Sequence, residues 1–285
     1  MSNTMFGYPN RIDIGTLSGG SWVASLPLTN LQKRKLGQVA RTTNAANAST
    51  LLNIDLGRAY PIRLFGAINH NFSLDAQYRL RGGDDATFAT FAYDSGTVNV
   101  WPVVYPSGSL EWEDDNWWAG TYSTEQISGY TPELIVVLPQ IYSYRYWRLE
   151  IFDTGNTAGY VQLGRLFIGP AWQPSKNPDY GLALGFETKT DVQEALSGAE
   201  TFQYRKPYRV TTFTFSNLTE DEGMANAFEL DRQAGIDKEV LWIYDPDDTL
   251  HAIRRRFLGR FRQLSKLEYP SFKLTKKAYE IKELL

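Results

Sequence analysis

A chain of 285 residues is long enough for two ordinary domains, each burying its own core. A formal charge of −3 gives no general attraction for nucleic acid or an anionic membrane, and the absence of cysteine excludes disulfides and thiolate metal sites. Hydrophobic content of 42% is that of a soluble globular protein, but an aromatic content of 14%, with 8 Trp and 17 Tyr, suits β-sandwiches and surfaces that bind other surfaces.

The first fifteen or so residues show no basic region followed by an apolar run, so no signal peptide is read there, and no stretch approaches the ~20 apolar residues of a membrane span. The product is expected to be cytosolic when made. Residues 1–20 read as an extended arm, with Ile12 and Ile14 alternating as a short strand. Residues 21–172 read as the first domain. Leu52–Leu56 and Tyr60–Phe72 are predicted strands, and Ala76–Arg81 sets Tyr78 and Leu80 against Gln77, Arg79 and Arg81. A weak strand over Phe88–Val100 precedes a long insertion, Pro102–Tyr130, rich in Trp, Ser, Gly and acid. Leu134–Pro139 is a continuous apolar run, the mark of a strand covered on both sides.

Tyr144–Trp172 reads as a hairpin: two alternating strands joined by turn chemistry at Asp153–Asn156 and ended by Gly169-Pro170. Residues 173–179, with two prolines, form the linker. In 180–285, Leu182–Thr190 and Glu200–Tyr204 are predicted to pair across Ser197-Gly198, and Tyr208–Phe215 is a strong strand. Thr219 then caps a helix carrying Met224, Ala227, Phe228 and Ala234 on its apolar face, closed by Gly235. Val240–Tyr244, His251–Leu264 and Phe272–Leu284 complete the strands. The fold class is therefore mainly β: two β-sandwich domains, the second with one short helix.

Trp22, Ile54-Asp-Leu-Gly57, Tyr78-Arg-Leu-Arg-Gly82 and Arg145-Tyr-Trp-Arg-Leu-Glu-Ile151 give residues 11–172 a resemblance to the discoidin-like, or galactose-binding-like, jelly roll. The resemblance implies binding of sugars or lipid head groups through loops at one end of the sandwich. The strand Arg209–Phe215, the helix after Asn217-Leu-Thr219, Leu241-Trp-Ile-Tyr-Asp-Pro246 and the closing Phe272–Leu284 resemble the β-sandwich ring modules of long-tailed bacteriophages. Together the two resemblances imply a structural subunit of a phage tail tip or baseplate, located in the virion. The partners implied are a homo-oligomeric ring of six-fold or three-fold order and other tail-tube and baseplate proteins. The alternative is an adsorption module recognising host surface glycans.

Trp112, Trp117 and Trp118 beside Glu111, Glu113, Asp114 and Asp115 are the sharpest local constellation. Indole faces stack on sugar C–H faces and carboxylates accept hydroxyl protons. An interface loop anchoring a neighbouring subunit is the competing reading and ranks first. Glu111 and Glu113 as a glycosidase pair rank far behind an acidic solvated loop. Asp84-Asp85 is read as a turn rather than a Ca²⁺ loop, and His70 as a hydrogen-bonded histidine at a strand end. Arg254, Arg256, Arg260 and Arg262 lie in a run without acids and are expected to share a strand face at a subunit interface, with no specific nucleic-acid role. No cofactor, metal or catalytic residue is expected: two histidines support no triad and no metal cluster.

Overall fold

The computed structural model describes residues 2–285, and the chain is mainly β. It divides into two units, 1–172 with 241–257, and 173–240 with 258–285. In the first, β1 (Met5–Gly7), β2 (Thr16–Ser18), β3 (Ala40–Arg41) and the 19-residue β4 (Leu52–His70) precede β5 (Gln77–Gly83), β6 (Tyr93–Asp94) and β7 (Val98–Asn99). The 20-residue β8 (Glu133–Phe152), β9 (Gln162–Gly169) and β10 (Ala171–Trp172) follow. The main sheet runs β3-β9-β4-β8-β5-β6, all antiparallel, with β2 added to β4 and β7 to β5.

The two predicted strands Leu52–Leu56 and Tyr60–Phe72 are one strand with a register shift between Asp55 and Tyr60. Gly57 takes φ +78° there, and its amide donates to Asp55 Oδ1 at 2.7 Å. Residues on both sides of the shift join one core, which holds Ile54, Leu80, Trp147 and Leu149 together with Phe65, Leu134, Leu166 and Ile168. Trp147 is fully buried, and its ring crosses Gly82 so closely that a Cβ there would meet it at 2.9 Å. Apolar burial on this scale supplies most of the drive to fold.

The predicted hairpin Tyr144–Trp172 does not exist as a pair: β4 lies between β8 and β9. The turn residues tie the connection down elsewhere. Asp153 Oδ2 and Oδ1 accept from Ser73 N at 3.0 Å and Ser73 Oγ at 2.5 Å, and Asn156 Nδ2 donates to Asn71 O at 2.8 Å. Residues 71–73 lie just beyond the end of β4, so these bonds carry the chain across to its far edge.

The N-terminal residues also depart from the expected arm. Arg11–Ile14 is a 3₁₀ turn, with Asn10 accepting from Ile12 N at 3.1 Å, rather than a strand. Met5 and Phe6 are buried in β1, which pairs with β10 on one side.

In the second unit β11 (Ala183–Glu187) pairs with the long β14 (Tyr208–Thr219), while β12 (Asp191–Glu194) and β13 (Glu200–Gln203) make a separate hairpin. The turn at Ser197-Gly198 is where the sequence placed it, but its strands are β12 and β13. Thr219 caps the helix, its side chain accepting from Glu222 N at 3.3 Å. Glu222 turns to Ser175 instead of completing a capping box, accepting from Ser175 N and Oγ at 2.7 Å each. The helix runs α, π, α over 220–234, and the π segment Gly223–Phe228 rotates the face. Gly223, Ala227, Leu230 and Ala234 are buried, whereas Met224 and Phe228 are exposed.

β15 (Val240–Ile243) then leads back to the first unit, where Leu241–Ile243 pair antiparallel with β1. Residues 241–257, which the sequence pattern left in the C-terminal half, group with residues 1–172. Within them Ala252–Arg255 is a helical turn rather than the start of a strand. β16 (Arg256–Gln263), β17 (Glu268–Ser271) and β18 (Leu274–Glu283) finish the chain. The second unit's sheet order is β16-β18-β14-β11, with Phe213, Phe215, Phe261 and Tyr279 packed as its aromatic core.

Candidate functional site

The segment between β7 and β8 is built of turns rather than strands. Asp114 organises the middle of it: its Oδ2 accepts from Glu111 N at 2.9 Å, its amide reaches Glu111 O at 3.0 Å, and its carbonyl accepts from Trp117 N at 2.9 Å. Gly120 closes the segment at φ +60°, with its carbonyl accepting from Val104 N and Tyr105 N at 2.9 Å each. Asn116 is buried and donates to Thr121 O. Ser123 caps the helical turn Thr124–Ile127 in a complete capping box with Gln126. Tyr122 fastens the base by donating from its hydroxyl to Thr249 O at 2.8 Å and Leu250 O at 2.9 Å.

These turns bring the three predicted tryptophans into one cluster. Trp117 and Trp118 stand edge to face, centroids 4.6 Å apart at 89°, and Trp112 lies 5.2 Å from Trp117 and 6.1 Å from Trp118. Edge-to-face packing is favourable for aromatic quadrupoles, so the cluster holds its shape. Yet Trp112 is 71% and Trp118 83% exposed. Large indole faces packed edge to face and open to water are the informative kind of exposure.

Beside the cluster lies a groove of about 510 Å³ whose wall includes Asp75, Gln77, Asn99, Trp101, Asp115 and Asn116. Gln77 Nε2 donates to Asn99 Oδ1 at 2.9 Å across the β5–β7 pair, and Asp115 comes from the tryptophan segment itself. Trp101 is buried, and its indole nitrogen has no acceptor among the described residues. The groove thus offers carboxylate and amide groups, two of them, Asp115 and Asn116, from the segment that bears the open indoles. Of the predicted acids only Asp115 lines it; Glu111 and Glu113 sit exposed on turns. Sequence reading missed Asp75, Gln77, Asn99 and Asn116. Gln77 carried a signal, as an outward position of an alternating strand; the rest required the fold.

The other candidates are accounted for by their surroundings. His70 ends β4 fully buried, its Nδ1 accepting from Phe72 N at 3.2 Å and its ring stacked on Phe72 at 4.0 Å. Burial pushes its pKa down to about 3, so it is neutral. Asp85 is a turn organiser: it accepts from Thr87 and Thr90, by side chain and backbone, and from Ala89 N, which pulls its pKa far down. Among the described residues no group of three or more His, Cys, Asp or Glu side chains gathers as metal ligands would.

Three of the four arginines, Arg256, Arg260 and Arg262, are on β16, and Arg254 is not. Arg254 is on the helical turn, and Arg256 is turned inward to the carbonyls of Pro246, at 3.1 Å, and Asp248. Arg262 is committed within its own unit, to Glu187 at 2.6 Å and Glu280 at 3.0 Å. Arg260 donates to the carbonyls of Ile236 and Phe261 at 3.2 Å each. The helical turn takes Arg254 off the strand, while Arg256, Arg260 and Arg262 stay on β16 at alternate positions and bond to separate groups.

No family model matches the chain, and no curated protein matches it. Among solved structures, the chain is similar to CBM32-1 from a family 31 glycoside hydrolase of Clostridium perfringens, with TM-score 0.38 and 8% identity over 57% of this chain and 99% of that one. It is similar also to a fucose binding module of Streptococcus pneumoniae, with TM-score 0.37 and 13% identity over 56% and 94%. A third is a family 32 carbohydrate-binding module of C. perfringens in complex with galactose, with TM-score 0.37 and 11% identity over 59% and 99%. Identity is low throughout, and it is this chain's own residues that carry the functional reading below.

Proposed function

We propose that the first unit is a glycan-binding module, with the sugar stacked on the Trp112, Trp117 and Trp118 cluster and its hydroxyls bonded in the adjoining groove. The observation that carries this reading is the pairing of exposed indoles, packed edge to face, with the polar wall of Asp75, Gln77, Asn99 and Asp115. An indole face gains on covering the C–H face of a sugar ring, while amides and carboxylates satisfy the hydroxyls that this burial strips of water. A purely apolar partner would leave the same carboxylates unpaired. Titration of the full chain with galactose- and fucose-containing oligosaccharides tests the proposal. Binding is expected, weakened about tenfold or more, or ~1.4 kcal/mol per tenfold, by Trp118→Ala, with unchanged melting temperature. Failure of every such glycan to bind, or equal binding by Trp112→Ala/Trp118→Ala, would overturn it.

A second reading, assembly of the chain into a ring in a phage tail tip and hence a place in the virion, is favoured by one observation in the second unit. The β12–β13 hairpin is exposed along its whole length, and its cross-strand pair Val192 and Phe202 is 51% and 59% exposed. Apolar cross-strand pairs open to water promote association. Light scattering of the full chain should show self-association that Val192→Ser/Phe202→Ser diminishes. A monomer at high concentration removes this reading and leaves the glycan proposal untouched.

A further inference from the structure

We infer that the second unit carries a binding pocket for a sugar phosphate, built from the cations of Lys189, Arg205, Arg260 and Lys282. The inference stands apart from the glycan reading of the first unit. The pocket measures about 490 Å³ and is also lined by Lys206 and Tyr208. Lys189 and Arg205 flank the base of the β12–β13 hairpin. There Thr190 Oγ1 accepts from Arg205 N at 3.0 Å, and the hydroxyls of Thr188 and Thr190 each reach Arg205 O at 3.2 Å. Arg260 of β16 and Lys282 of β18 are directly opposed in the antiparallel register. Like charges in that position repel.

Carboxylates close by relieve the repulsion only in part: Glu187 acts on Lys282 across space but is bonded to Arg262 and Tyr208. Among the described residues none of these four cations forms an ion pair, although Arg262, two positions from Arg260, takes Glu187 and Glu280. Arg260 meets only carbonyl oxygens, and the Lys282 ammonium lies 3.9 Å over the Tyr208 ring. Glu283 reaches the pocket wall, but its carboxylate is held by buried Arg209 at 2.6 Å. Lys282 is pushed below its ordinary pKa, first by burial and then by the charges of Lys189, Arg260 and Arg262, against a smaller opposing effect of Glu187. An arrangement that repels itself when empty and is held by backbone is pre-organised for an anion: a bound phosphate supplies the missing countercharge and accepts charge-assisted hydrogen bonds. The volume lies in the range of small-molecule sites and exceeds what a bare phosphate fills. Leu284 and Leu285 give an apolar side against which a sugar ring fits.

Calorimetric titration of the full chain with glucose 6-phosphate at low salt tests this, with glucose as the uncharged control and a short single-stranded DNA as the polymeric one. Saturable binding of the phosphate and none of glucose is expected, about tenfold weaker in Arg260→Gln. Lys189→Gln/Arg205→Gln, at exposed positions away from the sheet core, should show the same loss with an unchanged melting temperature. The Lys282 ammonium, followed by NMR, should rise in pKa on saturation. Absence of binding, or variants that bind like the parent, would overturn the inference. So would DNA binding that strengthens with strand length and outcompetes the sugar phosphate, which would mark the cations as a nucleic-acid face.

Discussion

His70 closes β4 with its imidazole sealed from water, which ties the fold to pH. Its folded-state pKa of about 3 lies below the unfolded value of 6.5. The unfolded chain therefore takes up a proton that the folded chain refuses, and stability present above pH 6.5 is lost as pH falls toward 3. The full difference is worth up to ~5 kcal/mol. Carboxylates titrate in the same window, so the informative comparison is His70→Gln, which keeps an acceptor for Phe72 N. Urea unfolding should show a shallower loss of stability between pH 7 and pH 4 in the variant than in the parent; parallel curves would remove His70 from the acid response. Gly223 is a second residue whose role is steric. A Cβ built there runs into Thr275 Oγ1 on β18. Gly223→Ala should therefore destabilise by ~1–3 kcal/mol despite alanine's better helix propensity; a stabilised variant would show that the helix is free to shift.

Asp153 decides the path between two elements rather than the shape of one. It is buried, and its carboxylate accepts from Ser73 N, Ser73 Oγ and Asn156 Nδ2. Asp153→Ala leaves those donors unpaired and should cost ~2–3 kcal/mol by urea unfolding, more than an ordinary turn aspartate; a loss near zero would mean that the connection holds by packing alone. The same residue marks the limit of what the sequence displayed. Alternation along 147–152 and 162–168 placed both strands, because side-chain direction is a local property with period two. Their pairing was not local: Asp153–Asn156 has the composition of a hairpin turn, and nothing nearby shows that its side chains bond to residues 71–73. The helix failed in the same physical way. Its cap at Thr219 and stop at Gly235 were legible, but the π segment displaced Met224 and Phe228 from the buried face. At the site the tryptophans and Asp115 stood together in sequence, while Asp75, Gln77 and Asn99 reach the groove only because β5 and β7 pair.

For the molecule as a whole, the first unit is discontinuous in the chain. β1 lies between β10 and β15, with Met5 opposite Ile243 and Phe6 opposite Trp242. A fragment ending at Trp172 lacks β15 and leaves the buried Met5 and Phe6 without one neighbour. Such a fragment should melt lower than the same unit in the full chain, and bind a hydrophobic dye more strongly; equal melting would make β15 dispensable. Synthesis adds a consequence in time. Trp172 leaves the ribosome about 71 residues before Ile243, the end of β15, an interval on the order of ten seconds at ordinary elongation rates. Throughout it the nascent chain carries an open β1 edge, and the second unit's residues 173–240 emerge before the strand that covers that edge. The first unit is the one begun first and completed late. A chaperone that shields Met5–Gly7 during that interval should raise the yield of folded protein more than one acting on the finished chain.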